Sequence, residues 1–421
     1  MPFLDVFLCF DCIVSTITHI VSYFLKKVNP FLDNLLKYGI INTIERKRGE
    51  PMLPNCKRDL WEYLQQTNKT IVLYGMGNGA DKILNVLSER GIPVAGVFAS
   101  DGFARGNLFH GMPVRTWSDV KAEFGAENVI VLLSFGTSRP EVLENILRIR
   151  KEAELLAPDV PAFGDTLFTR PFFEAHKADF ETVRTLLSDD ESRRVFDNVI
   201  AYKLSGDISY LLDAQNDEDE IWETIIRPHT IRFAADLGAY NGDTVRQLLE
   251  KTEGSVETVW AMEPDARNYK KLEIYAESET RAHIIPINAG AWNEEATLFF
   301  DKSGNRNASF GQNRSQSLSE RPAKMVEAKA LPLDYVLNGA PVDYVKYDVE
   351  GSEREALEGS VNTLTQHAPT LLVSLYHRSE DLFALPLHIR KIAPHYNGFY
   401  LRRMAGVPAW DINLYVKKEE I

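Results

Sequence analysis

The sequence predicts an α/β protein built on two doubly wound sheets joined by a helical connector. Three observations lead there. An apolar strand-like run, a glycine turn and a helix-like segment follow one another twice, once from Thr70 and again from Ile231. Further short apolar runs come after each, in the strand–helix–strand order that favours parallel sheets with right-handed crossovers. The chain has 421 residues, more than one hydrophobic core usually organises. Four segments are expected: a helical segment over 1–54, a first α/β unit over 55–165, a helical connector over 166–230 and a second α/β unit over 231–421.

The stretch from Phe3 to Leu25 is the most apolar of the chain, but Asp5, Asp11 and His19 interrupt it and no basic segment precedes it. Neither a membrane span nor a signal peptide fits. An amphipathic helix packed on its own protein or on a second copy is expected, which would give a homo-oligomer. Lys26-Lys27 leaves attachment to a membrane surface as the alternative.

In the first unit Thr70–Tyr74 reads as a strand, Gly75-Met-Gly-Asn-Gly79 as a turn and Ala80–Ser88 as a helix. Val94–Phe98, ending near Asp101, and Asn128–Ser134 supply two more strands. The order is Rossmann-like, and it resembles the small nucleotide-binding-like domain found ahead of some sugar-modifying enzymes. Gly75, Gly77 and Gly79 with Asp101 form a candidate second nucleotide site, the carboxylate reading a ribose. The third glycine is displaced from its place in G-x-G-x-x-G, so a tight turn in a structural unit is the alternative.

Helix-like spacing follows from Phe172 to Leu187 and from Asp190 to Tyr202. The acidic run Asp213–Glu220 reads as a solvated loop or a helix start without chemistry.

The second unit carries the denser pattern. Ile231–Ala235 leads into Asp236-Leu-Gly-Ala-Tyr-Asn-Gly-Asp243 and then a helix-like Thr244–Leu249. Gly238 and Gly242 let the backbone turn sharply and approach a ligand. The spacing D-x-G-x-x-x-G departs from the dinucleotide pattern. Thr258–Met262 reads as the next strand and ends at Glu263, whose carboxylate can accept two hydrogen bonds from a ribose diol. Glycine turn and acidic strand end together indicate an adenosine-type cofactor, held by Asp236, Gly238, Asn241, Gly242 and Glu263. Ile284–Asn288 is a third strand, and Asn288 and Ala289 are placed for the adenine. Pro341–Asp348 and Pro369–Leu375 are the fourth and fifth, the latter followed by Tyr376-His377.

Over residues 230 to 403 the chain resembles the FkbM family of S-adenosylmethionine-dependent O-methyltransferases. The resemblance rests on Asp236–Asp243, Lys346-Tyr-Asp-Val-Glu-Gly-Ser-Glu353 and Ser374-Leu-Tyr-His377, with Leu333-Asp334 and Tyr400-Leu-Arg-Arg403 in support. It implies a class I methyltransferase fold for the second unit, S-adenosyl-L-methionine as cofactor, and a hydroxyl acceptor such as a small molecule, sugar or glycan precursor. A long polar segment, Lys302–Lys324, departs from the pattern and is a candidate substrate loop, with Asn305 to Phe310 and Tyr376 offering groups to a sugar.

Methyl transfer to oxygen needs a donor held in line, an aimed hydroxyl and a group that removes its proton. Asp348 stands at the carboxyl end of the fourth strand, where open α/β sheets place ligands, and Glu350 lies two residues on. His377 closes the fifth strand, and its ordinary pKa suits a general base. The expected catalytic residues are His377 and Asp348, with Glu350 and Tyr376 on the substrate. Asp348 and Glu350 would alternatively hold Mg²⁺, which prefers oxygen ligands.

Composition limits the alternatives. A formal net charge of −13 opposes general nucleic-acid binding. Cys9, Cys12 and Cys56 are too few for a disulfide framework and point to a reducing, cytoplasmic setting. Two other classes stay open: a non-catalytic nucleotide sensor or scaffold, and a nicotinamide-dependent oxidoreductase run by the first unit.

Overall fold

The computed structural model of the chain describes residues 58–100, 106–301 and 325–420. The expectations placed on the amino-terminal segment, on Cys56 and Asp101, and on the loop Lys302–Lys324 lie outside the described residues.

The first sheet is mainly parallel, and its central strands are buried on both faces. Its strands are β1 (Thr70–Tyr74), β2 (Gly96–Phe98), β3 (Leu108–Phe109), β4 (Met112–Arg115), β5 (Val129–Leu133) and β6 (Glu154–Leu156), in the order β3-β4-β2-β1-β5-β6. All five residues of β5 and all but Thr70 of β1 are buried. Such continuous apolar strands fit a sheet covered on both sides. Only the short β3–β4 pairing is antiparallel. The helix Asn78–Glu89 buries Ala80, Ile83 and Leu87, one face at helical spacing.

The connector is more deeply embedded than a linker. Its longest helix, Asp190–Ser205, is buried at every position from Val195 to Ser205. A helix apolar or satisfied all round belongs between layers rather than on a surface. Asp189 caps it by accepting from the Ser192 amide at 2.7 Å, and the same carboxylate pairs with Arg402 at 2.6 Å. The acidic run begins a helix, Glu218–Ile221, capped by Asp217.

The second sheet has seven strands: β7 (Phe233–Leu237), β8 (Thr258–Met262), β9 (His283–Ile287), β13 (Tyr344–Tyr347), β14 (Thr370–Ser374), β15 (Gly398–Arg403) and β16 (Ile412–Lys417). Their order is β15-β16-β14-β13-β7-β8-β9, parallel except that β16 runs antiparallel to both neighbours. This is the class I methyltransferase arrangement. The order reverses beside β7, so the carboxyl ends of β7 and β13 open a crevice. A smaller sheet of β10 (Gly290–Ala291), β11 (Ala296–Asp301) and β12 (Met325–Leu331) lies outside the expected elements.

Loops from the first sheet reach the second. Thr137, past β5, exchanges two backbone hydrogen bonds with Val407, at 2.8 and 3.0 Å. Farther on, the Phe163 amide donates to the His377 carbonyl at 3.0 Å, and Ser379 Oγ donates to the Thr166 carbonyl at 2.6 Å. Among the described residues no helix is long and apolar enough to cross a membrane.

Candidate active site

Strand β7 starts two residues later than its apolar run suggests, which brings Asp236 into the strand itself. There it pairs in register with Lys346 of β13. Asp236 Oδ1 accepts from Lys346 Nζ at 3.1 Å and Oδ2 accepts from the Thr244 hydroxyl, with Asp236 4% exposed. The carboxylate expected at the cofactor fastens β7 to β13 and to the next helix. Lys346 also donates to the Gly238 carbonyl at 3.3 Å and lies 3.7 Å from Asp348.

The turn after β7 alternates through the left-handed region: Gly238 at φ 91°, Tyr240 at 49° and Gly242 at 85°. Gly238 is required by packing. A Cβ there would stand 2.0 Å from the Asp348 carbonyl oxygen, so the β7 turn and the end of β13 touch through bare backbone. The helix Asp243–Lys251 then starts one residue earlier than expected.

Glu263 lies beside this turn at the end of β8. One carboxylate oxygen accepts from the Tyr240 amide at 3.0 Å and the other from the Asp265 amide at 2.7 Å. Burial pushes its carboxyl up to about 7 despite those two amides. A carboxylate has about four acceptor positions, so one remains on each oxygen for a ribose hydroxyl. The buried Asn241 Oδ1 has no hydrogen-bond partner among the described residues. Such an orphan, in the turn whose Tyr240 amide meets a half-used carboxylate, fits an adenosine-type ligand. Asn288 is engaged elsewhere. Its Nδ2 donates to the Glu263 carbonyl at 2.9 Å, which ties β9 to β8 and uses the amide expected at the adenine. Ala289, beside it, is 1% exposed.

The acidic and imidazole groups converge at the ends of β13 and β14. His377, 1% exposed, directs Nδ1 to Glu353 Oε1 at 2.9 Å. Its Nε2 faces Asp348 Oδ1 at 3.5 Å and Glu350 Oε2 at 3.4 Å. Glu353 Oε1 also accepts from the Val349 and Gly351 amides at 2.9 and 3.3 Å. Tyr376 donates its hydroxyl to Asp348 Oδ1 at 3.1 Å. Asp348, Glu353 and His377 each bring a possible ligand atom to within 4.8 Å of the others.

Electrostatics follows from this crowding. Burial alone would strip His377 of its proton, but Glu353, Asp348 and Glu350 outweigh it and push the imidazole up to about 10. A charged imidazole has no lone pair with which to take a proton, so the general-base role expected of His377 does not suit this geometry. Burial raises the Glu350 carboxyl to about 7. Asp348 is lowered despite its burial, because Lys346 and His377 stand beside it.

Glu353 and Lys346 were missed as functional positions although both lie in the motif Lys346–Glu353. Partnership across strands has no local signature. Phe163 was missed for the same reason: its ring would meet a Cβ on Gly351 at 3.0 Å and lies edge-on to His377 at 5.8 Å.

The glycine turn of the first sheet is present but serves packing at two of three positions. A Cβ on Gly79 would come within 2.4 Å of the Ser134 carbonyl oxygen, and one on Gly75 within 2.4 Å of the Phe135 ring, whereas Gly77 faces open space. A separate cleft lined by Leu64, Thr70, Arg90 and Pro93 lies at the amino end of β1, away from that turn.

Residues 236–400 match the family described as the methyltransferase FkbM domain. The solved methyltransferase FkbM from Methylobacillus flagellatus KT is similar over 86% of this chain and 94% of its own, at 21% identity and a TM-score of 0.61. An rRNA methylase from Streptococcus thermophilus is 12% identical over 48% of this chain and 93% of its own, with a TM-score of 0.30. A SAM-dependent methyltransferase from Aquifex aeolicus is 9% identical over 48% and 94%, with a TM-score of 0.25. No curated protein matches the sequence. Residues 236–400, which hold the whole of β8, β9, β13 and β14 of the seven-stranded sheet, are thus similar to the methyltransferase FkbM domain.

Proposed function

We propose that this domain transfers a methyl group from S-adenosylmethionine to a hydroxyl acceptor of the kind a sugar or glycan precursor offers. The observation that carries the donor assignment is the turn Gly238–Gly242, where Asn241 Oδ1 is orphaned and the Tyr240 amide meets Glu263, whose two oxygens each keep an acceptor position. When bound, the donor supplies an electrophilic methyl on a sulfonium sulfur. Glu263 would grip its ribose diol, and the turn Gly238–Gly242 would lie against the rest of the nucleoside.

The acceptor would enter from the Asp348 side. Asp348 and Glu350 keep side chains 29% and 30% exposed, whereas Glu353 and His377 are sealed at 1%. An acceptor hydroxyl can therefore reach the two open carboxylates and hand one of them its proton as the oxygen attacks the methyl. Tyr376, anchored on Asp348, would border the acceptor, while Glu353 and His377 set the positions of the open carboxylates.

Thermal unfolding with added ligands tests this reading cheaply, because a ligand that binds only the folded chain raises its melting temperature. Stabilisation by S-adenosylhomocysteine and not by NAD is expected. Stabilisation by NAD alone would replace the proposal with an oxidoreductase run from the Gly75 turn. Label from methyl-tritiated donor should then appear on a hydroxyl-bearing member of a carbohydrate panel; donor binding with no transfer to any acceptor would favour a sensor.

A further inference from the structure

We propose that Asp348, Glu350 and Nε2 of His377 form a binding site for a divalent transition-metal ion such as Mn²⁺, with Glu353 orienting the imidazole from behind. The three groups come from adjacent strand ends. Asp348 follows β13, Glu350 stands two residues on at a left-handed turn of φ 52°, and His377 follows β14. Nε2 lies 3.5 and 3.4 Å from the two carboxylate oxygens, with no hydrogen bond to either. Ligand atoms that each sit about 2.1 Å from one ion at tetrahedral to octahedral angles are separated by roughly 3.0–3.4 Å. Nε2 therefore stands from each of the two carboxylate oxygens at about the separation of neighbouring ligands on one ion.

The surroundings support the same reading independently. A metal-binding histidine almost always gives its other ring N–H to a carboxylate, a backbone carbonyl or water, which fixes tautomer and orientation. Glu353 Oε1 does this for Nδ1 at 2.9 Å while two backbone amides hold the carboxylate still.

An imidazole nitrogen changes which ion is expected. Two carboxylates alone suit Mg²⁺, but nitrogen together with oxygen ligands favours Mn²⁺, Fe²⁺, Co²⁺ or Zn²⁺. The use of such an ion, lowering the pKa of an acceptor hydroxyl, rests on the methyl-transfer reading; the binding does not.

The test uses the full chain, stripped by chelation and titrated with MnCl₂ while free Mn²⁺ is followed by electron paramagnetic resonance. One ion per chain at micromolar concentration is expected, not displaced by equimolar Mg²⁺. His377→Gln should abolish binding, Glu350→Gln should weaken it tenfold or more, and Glu353→Gln by about 10- to 100-fold. Because His377 is buried, the half-exposed Glu350 provides the variant that decides the matter should the histidine variant fail to fold. No binding up to 1 mM, or binding untouched by Glu350→Gln, overturns the site. Calorimetry with S-adenosylhomocysteine on the same samples separates the two readings: donor binding without metal removes the ion alone, and metal binding without donor binding leaves the ion standing.

Discussion

Asp236 and Lys346 face one another across parallel strands β7 and β13, paired in backbone register and 3.1 Å apart at their charged ends. The pair sits under the crevice where the strand order reverses. Burial works against charge on Lys346, yet Asp236 and Asp348 outweigh it and raise its pKa above the ordinary lysine value. The ammonium thus joins the turn after β7, through the Gly238 carbonyl, to Asp348 at the end of β13.

Replacing one partner should therefore cost far more than replacing both. Lys346→Met leaves the Asp236 carboxylate, 6% exposed at its side chain, without its cation. A loss of about 3–5 kcal/mol is expected by denaturant unfolding, and the double variant Asp236→Asn with Lys346→Met should recover part of it. A single-variant loss under about 1 kcal/mol would show that the pair does not hold the strands.

Gly238 joins the same two strands by contact. Gly238→Ala introduces a Cβ 2.0 Å from the Asp348 carbonyl oxygen at φ 91°, so both sterics and backbone conformation oppose it. The variant is expected to lose at least about 2 kcal/mol and to bind S-adenosylhomocysteine more than tenfold more weakly. Unchanged affinity in calorimetry would mean that the turn does not shape the donor site.

These relationships mark what a linear pattern could convey. Both glycine turns, the strand before each and the acidic end of β8 were legible, because a strand–turn–helix unit is written in a few consecutive residues. Asp348, Glu350 and His377 were legible for the same reason: each closes or follows a strand. The pairing of Asp236 with Lys346 was not, since 110 residues separate them and only strand register brings them together. The strand-fastening bonds of Asp236 and Asn288 were not legible either, because their partners lie on other strands. Strand β16 escaped notice because an antiparallel strand inserted between β14 and β15 follows no crossover pattern.

Glu263 makes stability depend on pH in a definite sense. Burial raises its carboxyl from 4.5 to about 7 in the folded chain, so between those values the folded state binds more protons than the unfolded state. Stability from this group is therefore present below pH 4.5 and is lost as pH rises through about 7. Glu263→Gln cannot titrate. Its stability relative to the parent should climb by roughly 3 kcal/mol from pH 4.5 to pH 8, whatever fixed offset the substitution brings. Denaturant unfolding at a series of pH values reads the difference, and a flat difference would place the carboxyl at an ordinary pKa.

The last prediction concerns the loop that reaches His377 from the first sheet. Lys82, on the helix after the Gly75 turn, donates to the Pro161 and Ala162 carbonyls at 2.9 and 2.6 Å. The next residue, Phe163, donates its amide to the His377 carbonyl and lays its ring against Gly351. The ammonium should hold this loop against His377, because two charge-assisted bonds fix the backbone one residue before the contact. Lys82→Met removes both bonds but keeps the apolar stem. Hydrogen exchange at the Phe163 and Gly351 amides is expected to accelerate tenfold or more, while S-adenosylhomocysteine affinity changes less than twofold. Unchanged exchange at Phe163 would show that the first sheet does not steady the loop through Lys82, and a parallel loss of donor affinity would place the effect at the wrong end of the site.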